Sequence, residues 1–204
     1  MTVAPTDSTI LNAPPTPPAR SQRLKAATST THDSLDKRIM SEDIFASRER
    51  FAKFVRVQYR FHRDIQALYA TPLLRALLPD LEQRRRYASI AADLRDLDAA
   101  LPADAAEPPF GAELDVATAL GWLYVSEGSK LGAAILYKLA GKIGLDEQFG
   151  ARHLAGHPDG RARHWRDFTA VLDTAPLDAA GEERVTAGAR AAFMRMHGHV
   201  EAFA

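Results

Sequence analysis

The sequence predicts an all-α protein, and three observations carry that prediction. From Ser21 onward Ala, Leu, Arg and Glu dominate, the residues that lose least on entering a helix. Apolar side chains recur there at three- and four-residue spacing, which lines one helix face. Alternating β-branched runs, the mark of half-buried strands, are missing. With 204 residues, 46% hydrophobic and 25% charged, the chain has the length and composition of one globular domain with a sizeable core.

In chain order, residues 1–20 hold Pro5, Pro14, Pro15, Pro17 and Pro18 with few large apolar groups. Such a stretch cannot start a helix or bury a core, so a disordered tail is expected over 1–20, ahead of a single helical domain over 21–204. Helical spacing predicts segments over 21–37, 47–69, 81–97, 114–141, 160–172 and 178–199. Ser47 stands ahead of the apolar series Phe51, Phe54, Val55 and Tyr59, and its hydroxyl is expected to cap the second helix. Pro102, Pro108 and Pro109 mark 101–111 as a loop, and HPDG at 157–160 is turn chemistry ahead of a helix carrying Trp165. No internal repeat is present.

Composition excludes several functions. Lys plus Arg and Asp plus Glu both total 26, so the net charge is zero and nothing favours a nucleic acid or an anionic membrane as partner. The absence of cysteine excludes disulfides, thiolate nucleophiles, iron–sulfur ligation and cysteine-held zinc. No apolar run approaches the roughly 20 residues of a membrane span, and the N-terminus lacks a secretory pattern, so a soluble cytoplasmic protein is expected. No HExxH, repeated Glu-x-x-His, GxSxG or P-loop occurs.

Chemistry is suggested first by the segment GWLYVSEGSKLGAAILYKLAGKIG over 121–144, whose apolar pattern says helix while its glycines oppose one. Each interior glycine costs roughly 1 kcal/mol against alanine. Steps of seven and four residues bring Gly121, Gly128 and Gly132 to nearly one face, leaving a bare backbone strip. Such a strip either lets a second helix pack closely or lets a flat ligand lie on the main chain, and it permits a kink; both readings stay open.

His32 follows Lys25 by seven residues, so a candidate axial ligand and an anion-pairing cation share one helical side. Haem iron is often held by one proximal imidazole, although a lone histidine is more often a surface or satisfied polar group. The run Thr28 to Thr31 is poor helix material, read as a frayed end or a segment ordered by a ligand. Gln58 and His62, at i and i+4 on a largely apolar helix, form either an ordinary hydrogen-bonded pair or an internal polar site holding ordered water. Gly156 and Pro158 argue against a helical metal face at His153 and His157, and a helix would separate His197 from His199. The run Arg84 to Arg86 is expected to be a solvated face.

The stretches GWLYVSEGSKLGAA at 121–134, FGARHLAGHPDGRARHWRDF at 149–168 and THDSLD at 31–36 together resemble the haem oxygenases of Gram-negative bacteria, with the likeness running over residues 21–204. The resemblance implies one all-α domain with haem between a proximal helix carrying a single His and a kinked, glycine-rich distal helix. On it, His32 is the proximal iron ligand, and Gly128, Ser129 and Gly132 form the distal crossing, where main chain approaches iron-bound oxygen because no side chain intervenes. Gln58 and His62 match positions that support a distal water network. Lys25 and Tyr124 match the seats of the haem propionates and resemble members that cut at the α carbon. Lys138 is a further propionate candidate or a solvated charge, and Phe193 a pocket wall or ordinary core.

The reaction so implied opens haem, substrate and cofactor at once, to biliverdin, chiefly the α isomer, with carbon monoxide and ferrous iron. O2 and an external electron donor of ferredoxin or flavin-reductase type supply the oxidation. It serves iron release or the supply of biliverdin to a bacteriophytochrome, and a monomer is expected. The chain ends at Ala204 soon after the last helix, so a C-terminal tail that covers the pocket in some relatives is expected to be missing. Two other classes compete: a non-catalytic haem-binding carrier or sensor, and the same scaffold holding a different small ligand.

Overall fold

A computed structural model describes residues 17–103, 107–111 and 114–202. Most of the expected tail, residues 1–16, lies outside the described residues. Among the described residues there are eight α-helices and no strand: α1 (Arg20–Ser41), α2 (Arg48–Asp64), α3 (Gln66–Ala70), α4 (Pro72–Leu77), α5 (Tyr87–Asp96), α6 (Val116–Gly141), α7 (Arg161–Thr174) and α8 (Ala179–Glu201). Short 3₁₀ turns occupy Leu81–Arg84 and Arg152–Leu154.

Helix starts follow local chemistry. Ser47 caps α2 by accepting from the Arg50 amide at 3.2 Å, Asp115 caps α6 from Thr118 at 2.8 Å, and Asp178 caps α8 from Gly181 at 2.7 Å. The tail boundary expected at residue 20 is corrected: Arg20 opens α1 and is buried, donating from Nη2 to the Ala175 carbonyl at 2.9 Å and to Glu182 at 2.7 Å. The Thr28 to Thr31 run is neither frayed nor irregular, because Thr28 is buried within α1 and returns its hydroxyl to the Leu24 carbonyl at 2.7 Å.

Two expected helices are broken. The segment over 47–69 ends at Asp64, whose buried carboxylate is held by His199 and Arg195 of α8, both at 2.7 Å, and Ile65 leaves helical geometry before α3 resumes. The segment over 81–97 divides at Arg85, which is extended between the 3₁₀ turn and α5. Helix α4 was not expected; it starts at Pro72, which fits the first helical turn, after an extended Thr71.

Helix α8 is the platform for the site. Helices α6 and α1 both pack along it. At the α6–α8 crossing a Cβ on Gly121 would fall 2.2 Å from the Val185 carbonyl oxygen, and one on Gly188 would fall 2.4 Å from that of Thr118. Only glycine allows backbones this close. Helix α2 feeds both apolar clusters of the core, one around Phe61, Leu120, Leu123 and Phe168, the other around Phe51, Phe54, Ile90 and Leu94. Among the described residues no helix is long and apolar enough to cross a membrane.

Candidate functional site

The glycine strip read from the sequence divides in two. Gly121 serves close helix packing, whereas a Cβ on Gly132 would meet nothing within 4 Å, and one on Gly128 would meet only the Trp165 ring at 3.6 and 3.8 Å. Helix α6 is buried from Gly121 to Glu127 and then emerges, with Gly132, Leu131 and Ile135 exposed. Ser129 is exposed too, and its hydroxyl turns back to the Ser126 carbonyl at 2.7 Å.

Helix α1 comes to α6 at Tyr124, ahead of this bare segment. The Tyr124 hydroxyl is buried, which raises its pKa, and contact with the Thr28 side chain pulls it back. One turn beyond that contact on each helix come His32 and Gly128. His32 is 55% exposed and bonds to nothing closer than Asp33 and Asp36, at 3.5 and 3.6 Å. Its ring stands edge-on to Phe193 of α8, with centroids 5.9 Å apart and planes at 80°. Phe193 is buried, so its ring packs in the core while meeting one edge of the His32 ring. Lys25 is exposed on α1, two turns before His32. Lys138 is exposed on α6, six residues past Gly132, or about 9 Å along the axis.

Behind the bare segment lies a buried polar layer that the sequence reading missed. Glu127 joins Arg84 at 2.8 Å and Lys130 at 2.5 Å, and Lys130 also donates to the Arg84 carbonyl at 2.7 Å. The Lys130 carbonyl accepts from Arg161 of α7 at 2.8 Å. Burial brings the Lys130 pKa down to about 8 against the opposing pull of Glu127, and brings Arg86 down to about 10. The expectation of a solvated face at Arg84 to Arg86 is therefore corrected: Arg84 is buried and paired, Arg86 is half-buried with Nη1 on the His153 carbonyl, and only Arg85 is exposed. A signal for this layer was present, because Glu127 and Lys130 are an opposite-charge i, i+3 pair inside a run of apolar residues.

His62 of α2 belongs to the same layer. It is buried, and its Nδ1 has no protein partner. Burial, then the charges of Arg86 and Lys130 and the nearby His153, hold its pKa well below the usual value. Gln58, one turn earlier on α2, is half-buried. Of the remaining histidines, His153 is buried against Asp93 at 2.7 Å, and His157 stacks on His164 with centroids 4.4 Å apart. Burial and Arg84 push the His164 pKa down to about 4. No group of three or more acidic or histidine side chains among the described residues is placed to hold a metal ion.

Known structures share this fold. The chain superimposes on the heme oxygenase of Neisseria meningitidis, solved with NO and CO bound, with a TM-score of 0.85 and 39% identity over 91% of this chain and 92% of that one. It also overlays the heme oxygenase of Leptospira interrogans, with a TM-score of 0.68 and 15% identity over 91% and 100% of the two chains, a likeness of fold alone. The architecture is thus the all-α heme oxygenase fold. Residues 19–202 match the Heme oxygenase family. The sequence is 46% identical to Heme oxygenase PigA of Pseudomonas aeruginosa over 176 residues, which is 86% of this chain and 88% of the relative. It is 31% identical to Heme oxygenase of Xanthomonas campestris pv. campestris over 72% of this chain and 86% of that one. The chain belongs to the heme oxygenase family, and is an enzyme that degrades haem to biliverdin.

Proposed function

We propose that haem lies between α1 and the emergent half of α6, with His32 as iron ligand and the backbone of Gly128, Ser129 and Gly132 on the opposite side. The observation that carries this reading is the bare segment of α6, where a Cβ on Gly132 would meet nothing within 4 Å and one on Gly128 only the Trp165 ring. The residues suit the group: an imidazole with no competing close bond, an aromatic that meets its edge, and glycines whose absent Cβ atoms leave room for a flat ring. When bound, haem supplies the iron that activates O2, and the ring carbon that is attacked. The chain itself seats and orients the ring. Lys25 and Tyr124 receive the propionates and favour opening at the α carbon, Lys138 is a further cation for them, and Phe193 walls the pocket. Gln58 and His62 organise hydrogen-bonded water on the distal side. His62 suits that task because it stays neutral, with one donor and one acceptor nitrogen.

The products are α-biliverdin, carbon monoxide and ferrous iron, with O2 and electrons from a ferredoxin or flavin reductase. The setting is cytoplasmic, and the role is iron release or chromophore supply to a bacteriophytochrome. An optical titration with haem, followed by reductant in air with catalase and an iron chelator present, tests the proposal. Loss of the Soret band with growth of α-biliverdin supports it. A stable oxygenated complex would favour a haem carrier or sensor, a β or δ product would overturn the seating by Lys25 and Tyr124, and no stoichiometric binding would overturn the site.

A further inference from the structure

We infer that Arg161, the first residue of α7, is a positioning residue for the reaction: its guanidinium grips the main chain of α6 between Gly128 and Gly132 and so sets where the bare segment lies over the ring. The inference rests on the proposed placing of haem against that segment. Arg161 donates from Nη1 to the Lys130 carbonyl at 2.8 Å, and from Nη2 to the Leu154 carbonyl at the end of the 3₁₀ turn Arg152–Leu154. Within α6 the Lys130 carbonyl already serves the amide four residues on, so Arg161 takes its second lone pair. Both bonds of this half-buried cation go to backbone, and no carboxylate among the described residues lies within ion-pair distance of it. The charge of Arg86 opposes it as well. Taking a cation out of water without an anion is costly, and the two carbonyls are what hold it there.

The bare segment needs such a grip. Glycine has no side chain by which a helix can be packed in place, and Ser129, Leu131 and Gly132 are all exposed. Lys130 is the one buried residue over 128–132, with Nζ on Glu127 of its own helix at 2.5 Å and on the Arg84 carbonyl at 2.7 Å. Its carbonyl, midway between the two glycines, is held from outside α6 by Arg161. The turn HPDG delivers that residue: the Gly160 amide closes on the His157 carbonyl at 2.8 Å, and Gly160 takes φ +90, a conformation glycine alone adopts freely, just ahead of Arg161. One turn further along the same face of α7, Trp165 packs on α6, with its ring centroid 5.7 Å from that of Tyr124 and its edge 3.6 Å from where a Gly128 Cβ would stand. Trp165 supplies contact, which is indifferent to small sliding. The charge-assisted bond from Arg161 is directional, so it fixes the Lys130 carbonyl along the helix axis as well as in depth.

Amide hydrogen exchange of the haem-free protein, followed by ¹⁵N–¹H NMR, reads the grip without the ring. In Arg161→Met, which keeps the length and removes the fork, the amides of residues 131–135 should exchange roughly tenfold or more faster relative to those of α8, which report global opening. In the haem-loaded variant the biliverdin isomer ratio should shift and turnover should fall, by up to about 100-fold for an ångström of misplacement, while haem affinity changes far less. Arg161→Lys keeps the charge but has one nitrogen in place of the fork, so it should fall between the parent and Arg161→Met in both readings, and it carries the test if Arg161→Met does not fold. A merely structural Arg161 would speed exchange in α6 and α8 alike and leave the isomer ratio in place. That result, or unchanged exchange over 131–135, overturns the inference. Faster exchange there with an unchanged product also overturns it, and Gly132→Leu then shows whether the haem reading falls too: full yield removes the ring from this segment, whereas lost yield leaves the haem site standing without Arg161.

Discussion

Gly132 offers a perturbation whose two effects carry opposite signs. It sits exposed inside α6, and a Cβ there meets nothing within 4 Å. Glycine in a helix interior is less favourable than alanine by about 0.8–1 kcal/mol, because its unfolded backbone has more freedom to lose. With no neighbour to disturb, Gly132→Ala should stabilise the haem-free protein by about 1 kcal/mol, or about 2–4 °C in Tm for a chain of this size. Gly132→Leu keeps most of that helical gain but adds a branched side chain where the ring is proposed to lie. Overpacking the bound complex by about 1.4 kcal/mol or more would cost at least tenfold in haem affinity or biliverdin yield. Gly121→Ala supplies the contrast: its Cβ would lie 2.2 Å from the Val185 carbonyl oxygen and 2.6 Å from the Ala189 nitrogen. Backbone of a packed helix cannot retreat cheaply, so this variant should lose about 1–3 kcal/mol or more. Thermal melts of the three haem-free variants, with haem titration and biliverdin assay, decide the matter. A Gly132→Ala protein that melts below its parent, or a Gly132→Leu enzyme with full yield, would refute the reasoning.

Other expectations concern single groups. His32→Ala should abolish axial ligation and most turnover, with exogenous imidazole restoring part of both, as a haem absorbance titration would show. Lys25→Ala should change the biliverdin isomer ratio more than haem affinity, and an unchanged α product by chromatography would remove Lys25 from the seat. Glu127→Gln should destabilise the fold by about 3–5 kcal/mol in urea unfolding, since it strips buried Lys130 of its carboxylate and leaves buried Arg84 with Asp80 alone. Stability should fall with acidification in two stages. His62 has a folded pKa well below its unfolded value, so unfolded chains bind protons first, and stability present above about pH 6.5 is lost as pH drops below it. Asp64 and Asp93 have depressed folded pKa values, so their contribution, present above the unfolded value of about 3.9, is lost as pH falls through the folded ones. Calorimetry of His62→Gln should show a flatter dependence between about pH 5 and 6.5, and an unchanged slope would remove His62 from that role.

Much of the fold was legible because its signals are local. Ser47 declared the start of α2 through a hydroxyl one turn from the amide it caps, and apolar spacing declared the long helices. Breaks were less legible. Nothing near Asp64 in sequence shows that His199 and Arg195, from the last helix, will capture its carboxylate and end α2 there. Likewise, three consecutive arginines look alike in sequence, yet Arg84 goes to Glu127, Arg86 to the His153 carbonyl, and Arg85 to Glu82 on the surface.

The sequence by itself determined the all-α class, the main helices with most of their starts, and, through its motifs, membership of the heme oxygenase family. It also placed Gly121, Gly128 and Gly132 on one strip, because helical phase is a property of spacing alone. Tertiary structure decided what the strip does. A Cβ on Gly121 would run into the backbone of α8, while one on Gly132 would meet nothing within 4 Å. It also decided which polar groups are left wanting partners, His62 Nδ1 and His153 Nε2 among them. Whether a buried nitrogen finds a donor depends on what distant helices bring against it, and no local pattern encodes that.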